Sequence, residues 1–145
     1  MNIIWGAILT IFSLLGWIGQ AITAFSPKVA VKLGVTEPES EVDPTFYADV
    51  KGESVWDTMI LWTLPVAGIL LMLNNSLWAY FGLVGGGMYL YFAGRGITVR
   101  LAMQRRGIRI GMPKTLAANY VFIILWGLIA VVTIIMAVAA LPLPD

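Results

Sequence analysis

Four stretches of this chain are apolar for long enough, or nearly long enough, to cross a bilayer, and the polar residues gather between them. The first runs from Ile3 to Phe25, the second from Trp56 to Leu73, the third from Ser76 to Gly94 and the fourth from Leu116 to Leu141. A spanning helix needs about 20 mainly apolar residues. The second and third stretches fall short of that and are joined by Asn74-Asn75, a strong turn signal, so they read as a tight helical hairpin. The pattern predicts an all-α integral membrane bundle of four transmembrane helices in one domain, residues 1–145, with connections at 26–55 and 95–115. The first stretch has no basic leader and is too long for the core of a signal peptide, so it is expected to be retained as a helix.

Composition agrees with the pattern. The chain is 59% hydrophobic and 12% charged, whereas a soluble domain is roughly 45–50% apolar and about 25% charged. There is no Cys and no His. Disulfides, thiolate chemistry, His-ligated haem and the commonest zinc sites are therefore excluded. No cofactor and no metal site are expected.

Charge gives the orientation. All nine Lys and Arg lie in the two connections: Lys28, Lys32 and Lys51 in the first, and Arg95, Arg100, Arg105, Arg106, Arg109 and Lys114 in the second. By the positive-inside rule both connections face the cytoplasm and both termini lie outside it, in the cell (inner) membrane. Seven of the eight acids share the cytoplasmic side, and only Asp145 lies outside. Arg100, Arg105, Arg106, Arg109 and Lys114 beside a membrane are expected to attract anionic lipid headgroups at about 1 kcal/mol each. Topology explains this charge, so nucleic acid is not an expected partner. Trp5, Trp56, Trp78, Tyr80 and Tyr120 fit interfacial belts.

The first connection carries its own signals. Ser26-Pro27 is a cap-and-Pro pair and Gly34 a C-cap. Between them lies either a short helix in the headgroup region or an ordinary loop. Residues Thr36 to Pro44, TEPESEVDP, read as an exposed acidic loop. Asp43-Pro44 repeats the cap signal, which starts the second helix near Pro44, well before its apolar part.

On that helix Asp49, Glu53 and Asp57 recur every four residues and form one stripe. Each like-charge i,i+4 pair costs about 0.2–0.5 kcal/mol on an exposed helix, so the stripe needs a partner. Folding the helix back on the third about Asn74-Asn75 sets Glu53 level with Gly96 and Asp57 level with Phe92, with Arg95 between. An Arg95 bridge to Glu53 or Asp57 is expected. Deeper along the same stripe come Ile60, Leu64, Ala67, Gly68 and Leu71, none of which carries a proton, so a proton relay along this face is disfavoured.

Two inward arcs complete the candidate site. Helix one carries Gly6, Thr10, Ser13, Trp17 and Gln20 on one side, and helix four Asn119, Trp126, Ala130, Thr133 and Ala137. Polar side chains in lipid turn towards other helices, where they can hydrogen-bond. Gln20, Asp57, Arg95 and Asn119, with Glu53 beside them, form the candidate ligand cluster at the cytoplasmic mouth. Trp17, Trp62, Tyr89, Tyr91 and Trp126 lie deeper. They either line a pocket for an amphiphilic ligand or pack the bundle. Gly82 and Gly86 stand in GxxxG spacing and are expected either to admit the helix kinked by Pro65 or to form a dimer face.

FSPKVAVKLGV (25–35) and FYADVKGESVWD (46–57) resemble the small four-helix DoxX-like membrane proteins. The likeness implies a compact bundle of poorly defined activity and supplies no catalytic motif. The link here is longer and more acidic. The expected function is a small non-enzymatic polytopic membrane protein that binds a lipid-like or amphiphilic ligand, or serves as a subunit of a larger membrane complex or homo-oligomer. Two alternatives stand beside it: an oligomeric small-solute transporter or channel, and a lipid-modifying, isomerase-like enzyme using Asp57 or Glu53. No catalytic residue is assigned.

Overall fold

Local chemistry sets most of the helix ends. The computed structural model describes residues 2–141, so Asp145 lies outside the described residues, which form helices and no strand. In order these are α1 (Asn2–Phe25), α2 (Pro27–Lys32), a 3-10 turn at Glu39–Glu41, α3 (Pro44–Ile60), α4 (Thr63–Met72), α5 (Trp78–Arg105) and α6 (Pro113–Ala140). Asp43 caps α3, its carboxylate accepting from the Thr45 N–H at 2.8 Å. Pro44 follows at the first helical position, where a missing N–H costs nothing. Ser26 also precedes a Pro, but its side chain makes no cap bond. Between α4 and α5, Asn74 takes φ 52°, a left-handed conformation that Asn tolerates.

Three helical stretches are long and apolar enough to cross a membrane: Asn2–Phe25, Pro44–Met72 and Pro113–Ala140. The middle one is α3 and α4 in series, broken at Leu61-Trp62. Pro65 causes the break, because it cannot donate to the Leu61 carbonyl. α5 is as long as α6, but its glycines and arginines lower its hydropathy.

α1 packs on α3 and α4, and α5 lies between α4 and α6. The core joins Leu9, Leu61, Leu64, Tyr89, Phe92 and Ala130. Close approach depends on glycine. A Cβ on Gly68 would stand 2.8 Å from the Thr10 nitrogen, and one on Gly85 2.7 Å from the Leu64 nitrogen. Here the expectation for Gly82 and Gly86 needs correcting. Both turn to α6, against Thr133 and Ala137 and against Ala130 and Ile134 respectively. Gly85, one position away in helical phase, is the residue that meets the strand of backbone next to Pro65.

The inward hydroxyls also behave differently from expectation. Thr10, Ser13, Thr23 and Thr133 donate to carbonyls three or four residues back in their own helices. Aromatic N–H and O–H groups make the bonds between helices instead. Trp17 Nε1 donates to Thr58 O at 2.8 Å and Trp126 Nε1 to Phe12 O at 2.8 Å, while Tyr89 O–H donates to Ser13 O. Bonds of this kind average about 0.6 kcal/mol in a membrane protein.

The two long connections meet at one end of the bundle, called here the loop end; the Asn74 turn marks the opposite, turn end. Asp43 N–H donates to Arg109 O at 2.7 Å, and Arg109 Nη2 to Ser40 O at 2.7 Å. Val42, Phe46 and Ile110 form a small second core beneath them. The acidic segment is thus not the freely exposed loop expected. Glu37 and Val42 within it are buried. Lys51 reaches across to the last turn of α1, donating to Thr23 O at 3.1 Å and Ala24 O at 2.8 Å, two carbonyls that a helix end leaves without partners.

Candidate functional site

The carboxylate stripe of α3 faces α5, and one guanidinium serves two of its members. Arg95 Nη2 lies 2.6 Å from Asp49 Oδ1, and Nη1 lies 2.6 Å from Glu53 Oε1. A cation between acids on successive turns replaces their repulsion with attraction. Asp57 takes no part, which corrects the expectation that it would share Arg95 or join a cluster with Gln20 and Asn119. It is buried one turn further on, and its Oδ2 has no hydrogen-bond partner.

Beside this pair lies a cavity of about 310 Å³ at the loop end. α1 contributes Gln20 and Thr23, α3 contributes Glu53, α5 contributes Arg100, α6 contributes Asn119, and the first connection contributes Glu37. The inner end is apolar, made by Leu15, Phe92, Phe122, Ile123 and Trp126. The cavity exists because α1 and α6 part here. Nearer the turn end they are joined, with Gly16 against the Trp126 ring and the indole N–H bonded to Phe12 O.

The polar wall divides into committed and uncommitted groups. Glu53 is held by Arg95, and Glu37 accepts from the Met112 N–H at 3.0 Å. Arg100 Nη1 donates to Gly96 O at 3.0 Å, and its guanidinium sits 5.5 Å from the centre of the Phe46 ring. Its buried Nε has no partner. Among the described residues no carboxylate lies within ion-pairing distance of it. The side-chain amides of Gln20 and Asn119 make no hydrogen bond to the described residues.

The structure therefore sorts the sequence candidates. Gln20, Glu53, Asn119 and Trp126 share the cavity, whereas Asp57, Arg95, Trp17, Trp62, Tyr89 and Tyr91 are not in its wall. Trp62 and Tyr91 point outward, 41% and 65% exposed. Tyr89 is fully buried and Trp17 is tied to α3, so both serve packing. Of the proposed headgroup cations, Arg105, Arg106 and Lys114 are exposed. Arg109 is exposed too, although it also spends one N–H on the Ser40 carbonyl. Arg100 is corrected: it turns into the bundle. Sequence reasoning missed Arg100 and Glu37 as cavity residues. Arg100 had a signal, since it continues the buried line Phe92, Gly96, Arg100 at four-residue steps on α5. Glu37 had none, because its burial depends on two loops meeting.

No cluster of carboxylates able to hold a metal is present among the described residues. Comparison with family models, with characterised proteins and with solved structures finds no match.

Proposed function

We propose that this chain is a multi-pass membrane protein that binds a single amphiphilic molecule in the cavity between α1, α3, α5 and α6. The observation that carries the reading is the polarity gradient of that cavity, with amides and charges at the loop end and aromatic and aliphatic side chains within. Sites of this kind use an apolar body for affinity and a few polar groups for orientation. α5 makes the fourth crossing, antiparallel to α4 across the Asn74 turn. The loop end, which holds every Lys and Arg, is cytoplasmic. Exposed Ile4, Ile11, Leu15, Leu128, Ile135 and Val138 on α1 and α6 face lipid, an apolar area far too continuous for water. The DoxX-like layout of residues 25–57 fits this reading and adds no activity to it.

An acid–base enzyme is less well supported. Such an enzyme needs a carboxylate on the pocket that is free to exchange a proton. Asp57 does not line the cavity, and Glu53 is engaged by Arg95. Native mass spectrometry of the protein, extracted gently from its own membrane, tests the proposal. The expected result is one small amphiphile per chain. A clean polypeptide mass, or only a variable ladder of bulk lipid, would contradict it.

A further inference from the structure

We infer that the ligand is a single-chain amphiphile with an anionic head, such as an alkyl phosphate or fatty carboxylate. In this arrangement Arg100 receives the head between Gln20 and Asn119, and the chain is admitted sideways between α1 and α6. The inference rests on the proposed binding function and specifies its ligand.

Three observations converge on the head. Arg100 is the one cation in the cavity wall. It has no carboxylate within ion-pairing reach among the described residues, and its buried Nε lacks a partner. A buried donor without a partner is costly, and a charged one more so. An anion in the cavity supplies what is missing through charge-assisted bonds to the guanidinium. Gln20 on α1 and Asn119 on α6 approach from two other sides with side-chain amides the protein does not use. The two acids of the wall are already engaged, Glu53 by Arg95 and Glu37 by the Met112 N–H. Glu53 acts on Arg100 only through space, and no carboxylate bonds to it among the described residues.

The tail follows from shape. The inner end is closed by Phe92 and Trp126. Its flank is formed by Leu15 and Phe122, which line the cavity and are also 57% and 46% exposed. Residues that are both wall and outer surface mark an opening. Leu33 and Val35 mark a second one at the loop end, on the side of the head, and Leu15 and Phe122 mark the one beside the chain. This one lies on the side of the bundle where α1 and α6 present apolar side chains outward, so it leads to lipid. A cavity of about 310 Å³ stands at the low end of ligand pockets, roughly 300–1,000 Å³. It suits a small head and one enclosed chain.

Binding of dodecyl phosphate, dodecanol, dodecylammonium and inorganic phosphate to the full chain in lipid nanodiscs, read by isothermal titration, tests the inference. Dodecyl phosphate is expected to bind at one per chain. It should bind at least about tenfold more tightly than dodecanol, the factor that one charge-assisted contact supplies. Arg100→Gln should remove that preference, bringing dodecyl phosphate down to the affinity of dodecanol or below. Asn119→Leu, which does not disturb the Arg100–Phe46 contact, should weaken dodecyl phosphate several-fold if Arg100→Gln does not fold. Equal affinity for dodecyl phosphate and dodecanol, or preference for dodecylammonium, overturns the anionic head and leaves the pocket standing. Inorganic phosphate competing as well as dodecyl phosphate overturns the role of the chain. Saturable binding of none of the probes overturns the inference together with the binding function on which it rests.

Discussion

The two ends of this bundle are built on opposite principles. At the turn end, glycine lets backbones touch. Gly6 of α1 lies against Gly68 of α4, with a Cβ on Gly6 reaching 2.8 Å from the Gly68 carbonyl, and Gly85 of α5 receives the backbone at Leu64. At the loop end α1 stays packed on α3 but is separated from α6, charged and polar side chains line the gap, and the space that remains is a cavity. One end spends its small residues on contact, and the other spends its large polar residues on keeping a gap open. The tight glycine contacts and the cavity therefore sit in different halves of the molecule, and each can be altered without touching the other.

The largest expected effect comes from filling the tight end. Gly68→Val would drive a side chain into the Thr10 nitrogen and the Gly6 carbonyl, 2.8 and 2.9 Å from its Cβ. Main chain cannot give way cheaply, so the cost should reach or exceed the upper end of the about 1–3 kcal/mol typical of overpacking. Thermal unfolding in detergent checks this, with a large fall in Tm expected. Arg95→Ala comes next. It leaves Asp49 and Glu53 facing each other at the loop end, with Glu53 largely buried. The loss should fall between the under about 1 kcal/mol of an exposed pair and the about 3–5 kcal/mol of a buried one. An Arg95→Ala protein with unchanged Tm and unchanged ligand content would show that the pair is idle.

Gly19→Leu sharpens the comparison from the other side. A Cβ at Gly19 meets only Val35, at 3.5 Å, and the longer side chain would project into the cavity. Stability should stay within about 0.5 kcal/mol of the parent, while the bound amphiphile disappears from the native mass spectrum. The smallest effect is expected at Gly87, where nothing lies within 4 Å of an added Cβ. Gly87→Ala should raise stability by about 0.5–1 kcal/mol through helix propensity alone, with no change in ligand content.

The turn end and the helix starts were legible in sequence because they depend on near neighbours. Asp43-Pro44 opens α3, Asn74 takes the turn, and Pro65 places the break in the helix that contains it. The registry that set Arg95 beside Glu53 needed only a turn and a helical rise. What stayed hidden involved choices between faces or between distant segments. GxxxG spacing pointed to Gly82 and Gly86, yet α6 and not α4 claimed that face. The deep aromatics were grouped by depth, but their phase decided the outcome. Trp126 faces the cavity, Tyr89 the core, and Trp62 and Tyr91 the outside. Counting Arg100 among the flanking cations obscured its place on the buried line of α5. The burial of Glu37 required a loop to fold against Gly111 and Met112, more than 70 residues away in the chain.

The most direct test of the cavity as a binding site uses its own indole. A single-chain amphiphile carrying bromine on its alkyl tail, in alcohol and phosphate forms, would be titrated into nanodiscs while tryptophan emission is recorded. If the molecule enters between α1 and α6, at least one form gives a quenching component that saturates at one per chain. That component is lost in Trp126→Phe and kept in Trp62→Phe. Quenching by both forms that rises without saturation, and that Trp62→Phe reduces as much as Trp126→Phe does, would mean that the tail meets the protein only from the surrounding lipid.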